Sequence, residues 1–305
     1  MKDLNKITGP VIPIPVPFDK NQNVDYAALE KYTHFLVDAG IKNVMTTVGT
    51  SRYNLLTTEE CKNVNKVVAQ AAAGKAISIV ANPTTGGTKS AIDFAKHVDE
   101  IGADYLLAYY PERHYGDDYI IEFFQSIIDN SSCNILIHEM PMRNGLGPGT
   151  VQYSLELLTK LMSMDKICGV KEEALDPEYS NMLVENLADK AIIIGAGGGM
   201  SRYLKRDKQR GAKAYLGGIG NFVPSLELEF FAAMMNGDNA KAESIVEGLE
   251  LPLFQATVPM GWHPALKAML SITGHMQPFE RKPMKQTTPD EVAVLEEILK
   301  KNSWV

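Results

Sequence analysis

The sequence is poor in cysteine and lacks any recognisable metal-ligand spacing. Only three cysteines occur in 305 residues. Cys61, Cys133 and Cys168 form neither a CxxC pair nor a Cys/His zinc pattern. This odd and widely separated set predicts reduced thiols in a cytoplasmic protein. Histidines and carboxylates also never fall at a typical ligand spacing, so we expect neither a metal nor another cofactor.

Long apolar runs and an excess of positive charge are missing as well. No run approaches the ~20 residues of a membrane span, and the N-terminal segment has no apolar core of a secretory signal. The formal net charge is −7, which disfavours binding to phosphate-rich surfaces. The densest basic cluster, residues 205–213, is typical of a solvated helix face. We therefore expect no nucleic-acid or membrane partner.

What the sequence does contain is a repeated alternation of short apolar runs and helix-like segments. Eight such runs are each too short for a helix, and buried parallel strands read as continuous apolar runs of this kind. The eight runs are Val11–Pro15, Asn43–Val48, Ala76–Val80, Asp104–Ala108, Asn134–His138, Lys166–Lys171, Ala191–Gly195 and Ala212–Gly217.

Helical spacing follows these runs, which predicts an α/β fold with right-handed crossovers. Among the helical segments, Leu226–Met235 has Ser225 as a candidate N-cap. Eight strand–helix units over residues 1–236 favour a (β/α)8 TIM barrel, and a doubly wound open sheet is the structural alternative. After residue 236 only helices are expected, at 239–254, 263–272 and 288–301. Residues 237–305 are therefore predicted to form a helical C-terminal appendage.

Lys171 is the most informative single residue of the sequence. It ends the sixth apolar run, and the carboxyl ends of barrel strands carry the chemistry in such folds. Burial there would lower the pKa of its amine, and a neutral amine can condense with a ketone to give a Schiff base. The alternative is a structural lysine paired with Glu172 or Glu173.

Other strand ends offer groups that suit an anionic substrate. Thr50 and Ser51 follow the second strand, and their hydroxyl and backbone N–H groups suit a carboxylate. The alternative is a plain turn without a binding role, since Gly-Thr-Ser is common in loops. Arg52 and Arg143 are candidates for a second anionic group of the substrate, with solvated surface arginines as the alternative. Gly197 opens a glycine run that lacks phosphate-loop spacing and would give a substrate room beside the backbone.

His138 ends the fifth run and has two interpretations. Its ordinary pKa lies near neutrality, so it suits a general acid or base. It would equally suit a packed histidine at a strand end.

At these residues the chain resembles the dihydrodipicolinate synthase / N-acetylneuraminate lyase family of Schiff-base-forming lyases. Residues 167–171, Ile-Cys-Gly-Val-Lys, resemble the family's lysine motif, which implies that Lys171 forms the imine. Gly-Thr-Ser at 49–51 resembles the start of its carboxylate-binding motif. Tyr-Tyr-Pro at 109–111 resembles another family segment, in which Tyr110 would reach a neighbouring subunit's site. The resemblance also implies that Gly197 lies in a glycine turn, that the Leu216 carbonyl lines the pocket, and that the chain forms a homotetramer, a dimer of dimers.

Two departures from the family pattern bear on the substrate. Arg52-Tyr53 stands where the family usually has Gly-Glu, and His138 stands where the family usually has a tyrosine that relays protons. Phenol and imidazole differ in pKa by roughly 3.5 units, so proton transfer must run differently. Arg143 matches an arginine that lies near the aldehyde substrate's carboxylate in the synthase.

Three functional hypotheses follow from this pattern. The first is an aldolase or dehydratase acting on pyruvate or a related 2-oxo acid, such as a 2-keto-3-deoxy sugar acid. In it Thr50 and Ser51 hold the carboxylate, and Lys171 attacks the ketone. The second is authentic dihydrodipicolinate synthesis from pyruvate and aspartate semialdehyde. The third is a keto-acid-binding protein that has lost turnover.

Overall fold

The computed structural model describes residues 3–305 and contains a closed barrel of eight parallel strands. Each of the eight apolar runs overlaps one barrel strand, with ends that differ by up to two residues, and the hydrogen-bonded order follows the chain around the ring. The predicted TIM barrel is therefore confirmed, and the doubly wound alternative is wrong. The barrel strands are β1 (Gly9–Pro13), β2 (Asn43–Thr46), β3 (Ile77–Ala81), β4 (Tyr105–Ala108), β6 (Asn134–Glu139), β9 (Ile167–Glu172), β10 (Ile192–Gly195) and β11 (Ala214–Leu216).

A second, three-stranded sheet lies outside the barrel, in the loops that follow β4 and β6. It consists of β5 (Arg113–His114), β7 (Met142–Asn144) and β8 (Thr150–Val151), with β7 in the centre. This sheet was not predicted, because strands of two or three residues are too short to show an alternating apolar pattern.

Within residues 3–236, the structure describes eight α-helices. They are α1 (Tyr26–Asp38), α2 (Thr58–Ala72), α3 (Gly87–Ile101), α4 (Asp117–Asn130), α5 (Leu155–Ser163), α6 (Pro177–Leu187), α7 (Gly199–Arg202) and α8 (Pro224–Asn236). The expectation that Ser225 caps α8 is wrong, because the helix begins at Pro224 and Val223 holds the N-cap position. Proline suits the first helical position, since its fixed φ is helical and it has no N–H to satisfy.

Four further helices follow: α9 (Asn239–Ile245), α10 (Leu251–Thr257), α11 (Trp262–Ile272) and α12 (Pro289–Lys301). A π-helical turn over residues 246–250 joins α9 to α10. The N-terminus of α12 is capped, since Thr288, just before Pro289, and Glu291 form a reciprocal capping box. Leu266 of α11 and Leu295 of α12 belong to the same buried cluster as Phe230 of α8. We propose that residue 236 ends the barrel domain and that residues 237–305 form the C-terminal helical appendage.

The barrel interior is filled by one apolar cluster from its own strands, which includes Met45, Ile79, Leu107, Leu136 and Ile194. Side chains alternate along a strand, so residues i and i+2 face the same side. The mouth of the barrel is therefore lined by residues two positions beyond the last interior ones, as His138 is two positions beyond Leu136. Among the described residues, no helix has the length and apolarity that a bilayer crossing requires.

Gly169 explains why a glycine stands two residues before Lys171. A Cβ atom at this position would lie 2.1 Å from the carbonyl oxygen of Ile192 on the neighbouring strand. Only glycine therefore lets β9 and β10 pair closely beneath Lys171.

Candidate active site

Lys171 and His138 meet at the carboxyl end of the barrel. They are directly opposite each other in the register of β9 and β6, and they are 1% and 3% exposed. The Lys171 Nζ atom lies 2.6 Å from His138 Nε2. The structure thus brings together the two residues that the sequence analysis selected for imine formation and proton transfer.

Glu173 is the third member of this cluster. It follows β9 directly, and its carboxylate oxygen Oε2 lies 2.7 Å from His138 Nε2 and forms an ion pair with Lys171 Nζ. From sequence, Glu173 was expected only as the partner of a structural lysine. Its position two residues after Lys171, in the loop at a strand end, was the available signal. The ion pair is present, and its Glu173 member lines a cavity.

The charges of the cluster follow from burial and from its short contacts. Burial and the charge of Lys171 lower the pKa of His138 to about 4, against a smaller opposing effect of Glu173. Burial by itself would raise the pKa of Glu173, but the charge of Lys171 and the hydrogen bond from His138 lower it overall. At neutral pH His138 is therefore neutral and Glu173 is ionised.

A neutral imidazole gives this cluster two proton arrangements. His138 Nε2 either donates to Glu173 or accepts from Lys171, and one nitrogen cannot do both at once. The edge of the ring packs against Tyr109, with centroids 4.3 Å apart and planes at 82°. Tyr109 in turn packs against Tyr53 at 5.0 Å. The imidazole is thus held in place while its proton can move.

Two cavities flank the Lys171–His138–Glu173 cluster. The larger, of about 430 Å³, includes Glu173 in its lining together with loops that follow β2, β10 and β11 and with parts of α10 and α11. The smaller, of about 210 Å³, includes His138 and the aromatic side chains of Tyr109 and Tyr110. A ligand in either cavity is therefore next to the reactive groups.

Three of the predicted binding residues line the larger cavity: Thr50, Gly197 and Leu216. Gly197 has a φ of +77°, and a Cβ there would lie 2.5 Å from a methyl group of Leu175. Glycine is thus required both by the backbone and by the space. Ser51 lies beside this region, but its buried hydroxyl donates to the Ile14 carbonyl at 2.6 Å.

The structure does not bring Arg52 to either cavity. The side chain is fully buried, with its backbone in the left-handed region at φ 62°. Its guanidinium pairs with Glu280 and donates to the carbonyl oxygens of Thr50 and His263. An arginine whose donors are used in this way fastens the β2 loop to α11, and it has no free fork for a substrate.

Arg143 and Tyr110 both line the smaller cavity. Arg143 is exposed on β7 of the outer sheet, so its guanidinium has access to that cavity from the rim. Tyr110 is buried and packs edge-on against Phe123, with centroids 5.1 Å apart. The outer sheet, which the sequence did not reveal, is therefore what carries Arg143 to the site.

Side chains next to the reactive pair along the strands point outward and form a buried acidic layer. Glu172 is opposite Glu139 in the register, and Arg202 and the Ser180 hydroxyl donate to its carboxylate. Burial and the charge of Glu172 raise the pKa of Glu139 to about 8. Among residues 3–305, no group of three or more His, Cys, Asp or Glu side chains is placed to hold a metal ion.

Glu139→Gln is expected to stabilise the fold at high pH. Because the folded pKa of about 8 exceeds the unfolded value of about 4.3, the wild type loses stability as pH rises through that window. The variant should thus gain on the order of 2 kcal/mol at pH 9 and little at pH 5. Urea unfolding at both values measures this, with exposed Glu122→Gln as control. An equal effect at both values would contradict the assignment.

Comparison with known proteins agrees with this geometry. The model of the dihydrodipicolinate synthetase family matches residues 6–302. The chain is 24% identical, over 98% of its length and 96% of the relative's, to the "Probable 5-dehydro-4-deoxyglucarate dehydratase" of Bacillus licheniformis. It is 25% identical to the N-acetylneuraminate lyase of Clostridium perfringens, covering 94% of this chain and 96% of that one.

Among solved structures, dihydrodipicolinate synthase from Oceanobacillus iheyensis has the same fold, with a TM-score of 0.83 at 20% identity. That similarity covers 99% of each chain. The family match spans nearly the whole chain, and the relatives named above include a dehydratase and a lyase. The protein belongs to the dihydrodipicolinate synthetase family of lyases.

Proposed function

We propose that the protein is a Schiff-base-forming lyase, an aldolase or dehydratase that acts on pyruvate or a related 2-oxo acid. The observation that carries the proposal is the buried Lys171 amine, within hydrogen-bond distance of His138 and Glu173 and next to cavities large enough for a substrate. The family assignment supports lyase chemistry in general. We also propose a cytoplasmic homotetramer, a dimer of dimers, as the family resemblance implies.

Binding begins with the substrate carboxylate at Thr50, whose side chain lines the larger cavity. Lys171 passes a proton to Glu173 directly or through His138, and the neutral amine attacks the ketone carbon. The resulting carbinolamine loses its oxygen as water, with a proton supplied from the same cluster, and leaves a protonated imine. Water later hydrolyses the imine and restores the amine.

The protonated imine then acts as an electron sink for the neighbouring carbons. In a dehydratase, a base removes a proton from C3, and the hydroxyl on C4 takes a proton back from that protonated base and leaves as water. In an aldolase, the base takes the proton of the C4 hydroxyl as the C3–C4 bond breaks. Neutral His138 and ionised Glu173 are the proton acceptors closest to Lys171. Tyr110 and Arg143 lie along the smaller cavity together with His138 and would assist proton transfer there.

Borohydride reduction in the presence of pyruvate tests the proposal. The imine carbon is reduced to a stable secondary amine, so peptide mass analysis should show one added pyruvate-derived group on Lys171. The matched control is Lys171→Arg, which keeps the positive charge but cannot form the imine. If neither pyruvate nor longer 2-oxo acids leave an adduct on the wild type, the proposal fails.

A second candidate function is dihydrodipicolinate synthesis from pyruvate and aspartate semialdehyde. The observation in its favour is Arg143, which lines the same cavity as His138 and could pair with the carboxylate of the aldehyde. Rescue of a diaminopimelate auxotroph measures it directly. Growth only with added diaminopimelate, despite well-expressed protein, would reject this candidate and leave the first one standing.

A further inference from the structure

The lining of the larger cavity combines glycine backbone and a few polar side chains with a set of apolar side chains. Its floor is backbone, formed by the glycine runs 197–199 and 217–218, and its polar side chains are Thr50, Glu173 and His263. The remaining wall is apolar and aromatic. It consists of Pro13, Leu175, Leu216, Phe254, Val258 and Trp262.

Two side chains of this wall are aromatic and pack against each other. Phe254 and Trp262 meet at right angles, with centroids 5.1 Å apart and planes at 87°. The glycine floor brings them close to the barrel, since a Cβ on Gly218 would lie 3.1 Å from the Trp262 ring and 3.8 Å from that of Phe254. The rings therefore present flat apolar surface directly above the β11 loop, where a ligand extending from Lys171 would contact it.

Two aliphatic side chains of the same cavity are left uncovered. Leu175 is 69% exposed and Val258 is 65% exposed. Leu175 is also held with a positive φ of 60°, a conformation that costs energy for a non-glycine residue. Exposed apolar side chains gathered around a concave site with rings behind them are typical of a surface that a ligand covers.

The charges of the larger cavity also favour an apolar ligand group. Among residues 3–305, no lysine or arginine belongs to its lining, and Glu173 is ionised. Burial, and to a lesser extent the charge of Arg52, lowers the pKa of His263 to about 4, so that histidine is neutral at neutral pH. A second carboxylate or a phosphate would thus find no positive partner there. A chain of hydroxyl groups would find few side chains to replace its hydrogen bonds with water.

We propose that the substrate is a 2-oxo acid whose distal substituent is apolar, aromatic or branched aliphatic, and that Phe254, Val258, Trp262 and Leu175 bind this substituent. The inference rests on the proposed function, because it assumes that the oxo group is bound to Lys171. In aldol cleavage, such a 4-hydroxy-2-oxo acid breaks its C3–C4 bond. The C4 hydroxyl loses its proton to become an apolar aldehyde, C3 gains a proton, and hydrolysis of the imine releases pyruvate.

Borohydride trapping with different 2-oxo acids tests this without knowledge of the full reaction. Half-maximal labelling of Lys171 should require about tenfold less phenylpyruvate than pyruvate, since a buried apolar group of that size strengthens binding at least that much. It should require more 2-oxoglutarate or 2-keto-3-deoxygluconate than phenylpyruvate. If either polar acid labels at lower concentration than phenylpyruvate, or if pyruvate does, the apolar assignment is overturned while the proposed function stands. Absence of labelling by every acid would overturn both.

Val258→Thr provides the matched variant. It keeps the shape of an exposed side chain and adds a hydroxyl, so the fold should tolerate it. The variant should weaken labelling by phenylpyruvate several-fold more than labelling by pyruvate. Val294→Thr, at an exposed valine of α12 outside the cavity, should change neither. Equal weakening of both acids by Val258→Thr would count against contact with the distal substituent.

Discussion

Lys171→Met is expected to abolish turnover, with a loss of at least about a thousandfold in kcat. Methionine fills nearly the same volume, but it has no amine to form the imine, so the step that activates the substrate is lost entirely. Steady-state kinetics on any substrate that the wild type converts measures the effect. Borohydride in the presence of pyruvate should leave no adduct on this variant. Residual activity above about a tenth of the wild-type value would show that the reaction does not pass through Lys171.

A second buried lysine is an alternative candidate for the amine that forms the imine. Lys267 of α11 is 1% exposed, and burial lowers its pKa to about 7, with Glu280 and Arg52 acting in opposite directions. By titration alone Lys267 would look like a nucleophile. Its Nζ, however, donates to the Val16 carbonyl at 2.6 Å, whereas the Nζ of Lys171 contacts His138 and Glu173, which line the two active-site cavities.

Geometry therefore favours Lys171, and Lys267→Met is the matched control for the kinetic experiment. This variant loses a buried hydrogen bond, so its unfolding midpoint should fall. The folded fraction should still form the pyruvate adduct on residue 171. An adduct found on residue 267 of the wild type would move the reactive centre to the packing between α11 and the loop after β1.

The barrel could be predicted from sequence because its signal is repeated. Eight buried strands each leave a short apolar run, and the runs are separated by helical spacing, so an error at one boundary does not change the count. The outer sheet leaves no comparable signal, since its strands hold only two or three residues each. It was missed for this reason, although it is what carries Arg143 to the smaller cavity.

Site residues could be predicted where the signal is local in the sequence, and not where it depends on a residue far away in the chain. Lys171 and His138 were predictable, because each ends an apolar run and parallel strands bring such ends together. The fate of Arg52 was not, since its partner Glu280 lies 228 positions away in the chain. No sequence feature near Arg52 predicts that it forms an ion pair with a glutamate that follows α11. The apolar wall was missed for the same reason, because Phe254 and Trp262 come from the C-terminal helices.

Glu173→Gln is expected to separate imine formation from the proton transfers that follow it. Glutamine keeps the size of the side chain and its ability to hydrogen-bond His138, but it removes the negative charge next to Lys171. The Lys171 amine itself is unchanged. Borohydride trapping of pyruvate should therefore persist. Overall turnover should fall about a hundredfold, because the proton acceptor is gone.

The split between these two measurements is what distinguishes a proton carrier from a structural ion-pair partner. If Glu173 only held Lys171 in place, its loss would reduce trapping and turnover together, and the pH dependence of turnover would keep its shape. Exposed Glu178→Gln, in the first turn of α6, controls for the loss of one negative charge. Unchanged turnover in Glu173→Gln would instead assign proton transfer to His138 alone. The imidazole would then have to exchange its proton with water from the smaller cavity, which it lines together with Arg143 and Tyr110.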